Sequence, residues 1–290
     1  MEQAEQNQAP YINPQMLAGV GLGDILKLGI RLCRDRFWQI FLLPIFLNVV
    51  CPFIVLVLFK NIGMNINFDD FDFSKLWPIF AIFIVICIIL PLAIILSIIY
   101  LTEQTIQGKI ITIGASLKYG FYRLLPGVWT GFLFFIAFYP LLILFMIPAF
   151  IFFVFFFACI FAVCLRGKSG FAAFKYSKSI VKGNWWSVAG NLFAIHFLFL
   201  LCYVPFIVLL LIAAPDMGPD GGHTPSFLLQ YNMEISIALG VFFNFVYYGY
   251  IVVFTLYFLS LDYKRYPQPT EEISSEELPV KQYGPTPTEV

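Results

Sequence analysis

Charge and histidine are what this chain has least of. Only 12% of its 290 residues are charged, against 60% hydrophobic, and there are two histidines, His196 and His223. Soluble domains carry about one-quarter charged and about half apolar residues, so the balance excludes an ordinary water-soluble fold. The two histidines stand on different predicted levels, with no pair at metal-ligand spacing on one helix, so no metal is expected. Six cysteines (Cys33, Cys51, Cys87, Cys159, Cys164, Cys202) are scattered without a C-x-x-C, which argues against a disulfide framework. Gly19, Gly21 and Gly23 lack a preceding strand and a Lys-Ser/Thr pair, so they make no phosphate loop. The run Gly221-Gly222-His223, after Asp216-Met217-Gly218-Pro219-Asp220, reads as turn formers. No cofactor, no nucleic-acid partner and no catalytic residue is expected.

Ionisable residues inside the apolar segments are almost as scarce. Coupled transport leaves such residues in place, because a buried charge costs several kcal/mol and persists only for a use. The candidate intramembrane polar residues are Glu103, at the inner end of a crossing where water is expected to reach it, and His196, expected to be a neutral packing residue bonded to a neighbouring helix. Asn48, Asn191 and Asn244 complete the set and read as interhelical hydrogen-bond donors.

Long apolar runs are what the chain has instead. A helical crossing needs about 20 apolar residues, and residues 38–59, 77–101, 128–165, 186–213 and 234–261 supply them. Residues 128–165 carry no charge and would span nearly twice a hydrocarbon thickness as one helix at about 1.5 Å per residue. The run must turn back between Phe145 and Ala149, with Pro148 opening the returning helix. The expectation is therefore an all-α integral membrane protein with six transmembrane helices in three hairpins.

An internal repeat supports three hairpins. Residues 23–38, 114–129 and 171–186 align without a gap: the fifth position is Lys27, Lys118 or Lys175, the seventh is Gly29, Gly120 or Ser177, and the last is Trp38, Trp129 or Trp186. In the first copy Lys27, Arg31 and Arg34 share one helical stripe and Leu22, Leu26, Gly29 and Cys33 another. The third copy sets Lys175, Lys178 and Lys182 against Phe174, Ser177 and Val181; the second sets Lys118 and Arg123 against Leu117, Gly120 and Leu124. Each hairpin is thus preceded by a cytoplasmic interfacial amphipathic helix. The small seventh residue admits a close neighbour, and the Trp sits at headgroup depth at the start of a crossing. Lys27, Lys118, Lys175, Trp38, Trp129 and Trp186 are the candidate lipid-headgroup or anion contacts.

Fifteen of the seventeen Lys and Arg residues fall on one predicted side; Lys60 and Lys75, with Asp69, Asp70, Asp72, Asp216 and Asp220, fall on the other. By the positive-inside rule both termini are expected on the cytoplasmic side, and the membrane expected is the cell (cytoplasmic or inner) membrane. The organisation expected is a polar segment 1–20 without a cleavable signal peptide, a membrane domain 21–262 with repeats starting near 21, 112 and 170, and a disordered tail 263–290.

The interfacial helix leading into a Trp-started crossing, above all Ala173-Phe174-Lys175-Tyr176-Ser177-Lys178-Ser179-Ile180-Val181-Lys182-Gly183-Asn184-Trp185-Trp186, resembles the membrane domain of bacterial glycerophosphoryl diester phosphodiesterases. It resembles equally the related stand-alone six-helix inner-membrane proteins of unknown function. The likeness covers about residues 20 to 262. It implies that catalysis belongs to a soluble domain this chain does not carry, and it supplies no site residues. The function expected is a non-catalytic subunit, scaffold or lipid-interacting factor, whose partners are membrane lipids and a protein met through the cytoplasmic helices or tail. The alternative is a passive or lipid-moving transporter with a pathway between the hairpins. A lipid-modifying enzyme using Glu103 or His196 would need a further acid, base or metal that the sequence does not offer.

Overall fold

A computed structural model describes residues 14–42, 89–213 and 226–267. Asn48, Cys51, Cys87, the aspartates of residues 69–72, residues 214–225 with His223, and the tail from 268 lie outside the described residues, as do most of the first expected crossing and the first half of the second. Among the described residues every regular element is helical: α1 (Pro14–Leu17), α2 (Leu22–Asp35), a π-helical turn (Trp38–Leu42), α3 (Leu90–Ile106), α4 (Ile113–Tyr122), α5 (Leu124–Leu144), α6 (Met146–Phe156), α7 (Cys159–Arg166), α8 (Phe171–Val181), α9 (Trp185–Ala213) and α10 (Ser226–Arg265).

The long apolar run folds back where its length demands. Phe145 adopts an extended conformation (φ −154°, ψ 118°) between α5 and α6. Pro148 is the third residue of the returning helix, where its missing N–H is one of those with no intrahelical acceptor. The return is continuous enough to cross as one unit, Met146–Arg166, and four stretches are long and apolar enough to span a bilayer: Leu124–Leu144, Met146–Arg166, Trp185–Pro205 and Gly240–Arg265. Shorter α3 is also apolar. The chain is a multi-pass helical membrane protein.

Burial divides the helices into inner and outer ones. In α5 and α9 only 11% and 22% of the spanning stretch is buried, against 50% for α6–α7 and 56% for α10. The inner set, α3, α6–α7 and α10, meets through fully buried Ile99, Phe161, Ala162, Phe258 and Leu259, with Phe161 stacked on Phe258 at 5.1 Å. Outer α5 packs on α6 through Phe134 and Phe152 (5.5 Å) and presents Phe132, Phe135, Ile136 and Tyr139 outward. Outer α9 packs on α10 through Phe199 and Tyr250 (5.2 Å).

Each amphipathic helix makes one close approach at its small residue. A Cβ on Gly29 of α2 would stand 2.7 Å from Val253 Cγ2 of α10. On Gly120 of α4 it would overlap Ser97 Oγ and the Ala93 carbonyl of α3. Ser177 of α8 enters the break between α6 and α7: its hydroxyl donates to the Phe155 carbonyl (2.8 Å) and accepts from the Ala158 N–H (3.2 Å). Backbone groups freed by an interrupted helix must find partners in an apolar setting, and Ser177 serves both. Ser177→Ala should therefore destabilise the solubilised protein by about 1–3 kcal/mol, read as a lower thermal midpoint, whereas Ser179→Ala at the neighbouring half-exposed position should change it little.

Several boundaries differ from expectation. The buried stripe of α2 is Ile25, Leu28, Gly29 and Leu32, with Leu22, Leu26 and Cys33 only half-buried, so it is rotated from the one read off the sequence. The buried stripe is the one that faces α10, which α2 approaches where Gly29 meets Val253. Burial there pushes the Cys33 thiol up to about 12. Leu17 is fully buried in the same core, within the segment expected to be polar. α10 starts at Ser226 and runs to Arg265, past both expected ends; its C-terminal extension follows from Asp262 and Tyr263, which are 0% and 3% exposed.

Candidate functional site

Three inner helices end in charged residues, and the fold brings those ends together. Arg166 closes α7, while Glu103 and Asp262 each lie one turn from the end of their helices, α3 and α10. The Arg166 guanidinium donates from Nη1 to Glu103 Oε1 at 2.6 Å and from Nε to Asp262 Oδ2 at 2.8 Å, with Nη2 reaching the same oxygen. The other Asp262 oxygen accepts from the Tyr176 hydroxyl of α8. The side chain of Arg166 is 19% exposed, those of Glu103 and Asp262 6% and 0%. Each polar atom of Asp262 is thus engaged by a donor, as a carboxylate in an apolar setting requires.

Local sequence explains how each group is held. Gly167, left-handed at φ 65°, ends α7 and lets the chain turn toward α8 so that Arg166 stays at the helix end. Tyr176 lies on the buried face of α8 one position before Ser177, so the same close approach that seats the serine carries the phenol to Asp262. Burial and the Asp262 carboxylate hold the Tyr176 hydroxyl above its usual range, so it stays a donor at neutral pH. Tyr263 lies beneath the guanidinium, 6.0 Å from ring centroid to Cζ, and Lys168 sits 4.1 Å over the Tyr176 ring.

The arrangement corrects the expectations for Glu103 and Asn244 and bears out the packing role of His196. Glu103 is not open to water; it is 4% exposed and ion-paired, because α7 and α10 close over the end of α3. His196 is bonded to a neighbouring helix as expected: Nδ1 donates to the Leu192 carbonyl (2.7 Å), which leaves Nε2 to accept from Tyr250 of α10 (2.9 Å), with Phe153 and Phe254 edge-on around it. Asn191 is half-buried beside Tyr257 of α10. Asn244 bonds its own helix at the Gly240 carbonyl (2.7 Å), not another, because that carbonyl one turn back is in reach and needs no partner helix.

Lys27, Lys118 and Lys175 are all exposed, and none joins the buried cluster; Lys27 pairs with Asp24 at 3.5 Å. Trp38, Trp129 and Trp186 are 66%, 54% and 83% exposed. Trp129 is the sixth residue of α5 rather than its first, since α5 already begins at Leu124, and its Nε1 lies against Gly170. Among the described residues all four cysteines are free, and no three His, Cys, Asp or Glu come together as metal ligands.

Arg166, Asp262 and Tyr176 escaped sequence reasoning as a site. Arg166 counts as one more basic residue on the positive side, and Asp262 falls at the edge of the last apolar run. The available signal was that the apolar runs 77–101, 128–165 and 234–261 each end on a leucine with a charge one or two residues on: Leu101-Thr102-Glu103, Leu165-Arg166 and Leu261-Asp262.

Chemically, one guanidinium bridging two carboxylates is a fastener. It offers no free nucleophile, and its donors and acceptors face each other instead of a cleft. These features define the class: a helical membrane protein whose inner helices are tied at one end by a buried ion triad. Comparison of the chain with protein-family models, with curated proteins and with solved structures finds no match.

Proposed function

We propose that this protein is a non-catalytic multi-pass membrane protein that contacts lipid and organises partners through three interfacial helices. The observation that carries the reading is where the charges go. The buried ones, Glu103, Arg166 and Asp262, bind one another at helix ends, while the repeat lysines and tryptophans are exposed on the rim where a leaflet's headgroups would lie.

Helix packing supports a cyclic threefold plan with six crossings. α2 approaches α10, α4 approaches α3, and α8 approaches the α6–α7 helix. Each interfacial helix therefore rests on the second crossing of the preceding hairpin, with the first helix closing the ring on the last hairpin. The inner helices then surround the pseudo-axis and the Glu103–Arg166–Asp262 triad plugs its basic end. The plan places that end and both termini in the cytoplasm by the same charge asymmetry as before. The resemblance to the diester phosphodiesterase membrane domain fits a non-catalytic role.

The test is lipid retention. Replacing Lys27, Lys118 and Lys175 together by glutamine should lower co-purifying anionic lipid about tenfold or more, since each basic residue near an anionic surface is worth about 1 kcal/mol. Mass spectrometry of the lipids and proteins left after gentle-detergent purification reads the result. Unchanged retention would overturn the headgroup role.

One observation favours the second reading, a lipid-moving protein. A cavity of about 590 Å³ opens between α3, α5 and α6–α7, lined only by apolar residues and glycine, among them Pro91, Ile95, Gly131, Phe135, Phe153 and Phe157. Its size and lining suit an acyl chain. Lipid scrambling in proteoliposomes separates the readings.

A further inference from the structure

α8 carries Lys175 and Lys178, and Lys182 follows at its C-cap, so at helical spacing the three share one face. All are exposed, and among the described residues none has an ion-pair partner. The first amphipathic helix differs: on α2, Lys27 pairs with Asp24 and Arg34 with Asp35. α8 contains no acidic residue, so acid for its stripe has to come from elsewhere.

The chain leaves α10 against this same helix. Tyr266 stacks on Tyr176 with centroids 5.3 Å apart and planes at 11°, and its hydroxyl is 2.9 Å from Ser179 Oγ. Five residues on come Glu271 and Glu272, then Glu276 and Glu277, with no basic residue between them. Five extended residues reach about 17 Å, and the 11 residues of α8 extend about 16 Å. The linker is therefore long enough for the glutamates to reach every lysine of the stripe, and attachment in the same chain supplies them at an effective concentration of about millimolar.

We propose that the acidic segment 271–277 docks along the Lys175, Lys178 and Lys182 face of α8. Charge complementarity and the Tyr266 anchor select this segment over any external occupant. The docking itself is independent of the lipid-contact reading; only its consequence, that the tail and anionic headgroups exclude each other from α8, rests on that reading.

Amine footprinting of the full chain tests it, with the protein in zwitterionic-lipid nanodiscs at low salt and acetylation of each lysine followed by mass spectrometry. Lys175, Lys178 and Lys182 should react about threefold or more faster in a variant with Glu271, Glu272, Glu276 and Glu277 changed to glutamine. About 0.5 M salt should speed them equally in the unmodified protein, because exposed pairs are screened within a few ångströms there. Lys27 and Lys118 serve as controls and should not change. Equal rates for the α8 lysines in the two proteins would overturn the proposal. So would protection that survives the substitutions, whether it depends on added anionic lipid, which would make headgroups the occupant, or on a co-purified protein. A separate measurement of anionic-lipid retention should rise in the glutamine variant; no rise beside a positive footprint would leave the docking standing and remove only the lipid competition.

Discussion

Replacing Arg166 by leucine is expected to destabilise the protein by about 3–5 kcal/mol. The guanidinium is the common partner of two carboxylates whose side chains are 6% and 0% exposed, and losing it leaves both without a cation. A buried charge stripped of its counter-ion loses far more than an exposed pair, for which about 0.2–1 kcal/mol is usual. The thermal midpoint of the solubilised protein should drop by about 6–15 °C at the usual few degrees per kcal/mol. Arg166→Lys should fall between, because an ammonium cannot fork toward Glu103 and Asp262 at once. The decisive comparison is Arg166→Leu combined with Glu103→Gln and Asp262→Asn. Removing all three charges together should recover most of the loss, since a well-packed neutral set often replaces a buried ion cluster without penalty. A midpoint unchanged in Arg166→Leu would mean that water reaches the carboxylates and that the triad holds nothing together.

How far the residues announced this arrangement depends on the range of the interaction. The turn at Phe145 was legible because an uncharged run of that length cannot cross once, and Pro148 marks the first turn of a helix. The role of the small seventh residue was legible because Gly29, Gly120 and Ser177 stand in register in three copies. The hydroxyl of Ser177 was not, because its partners, Phe155 and Ala158, sit at a helix break that neither proline nor glycine marks. The triad was the least legible. Arg166 meets partners 63 and 96 residues away, and periodicity, which reports on neighbours three and four apart, carries nothing about such pairs. Reading Arg166 only for topology also hid the alternation of sign at the ends of the three inner helices.

The glycines offer the sharpest test of how the amphipathic helices pack, because their surroundings differ in hardness. Gly120→Ala should be strongly destabilising: the new methyl would meet the Ala93 carbonyl and Ser97 of α3, and the carbonyl belongs to a helix that cannot yield locally. Tyr100 stacked on Tyr119 at 3.8 Å already locks α3 to α4, so the clash can be relieved only by pushing the helices apart. Overpacking of this kind costs about 1–3 kcal/mol and occasionally more, and Gly120 belongs at the upper end. Gly29→Ala meets a methyl of Val253 at 2.7 Å, softer than a carbonyl but on a buried β-branched side chain that turns little within a helix. Its cost should exceed the gain of up to about 1 kcal/mol that alanine brings to a helix, but by less than at Gly120. Gly190→Ala, with nothing within 4 Å of the new Cβ, should be neutral or mildly stabilising. The order Gly120, then Gly29, then Gly190 in thermal midpoint follows from contact hardness alone. An equal effect at Gly120 and Gly190 would show that α4 does not rest on α3, and the cyclic plan of interfacial helices would lose its second contact.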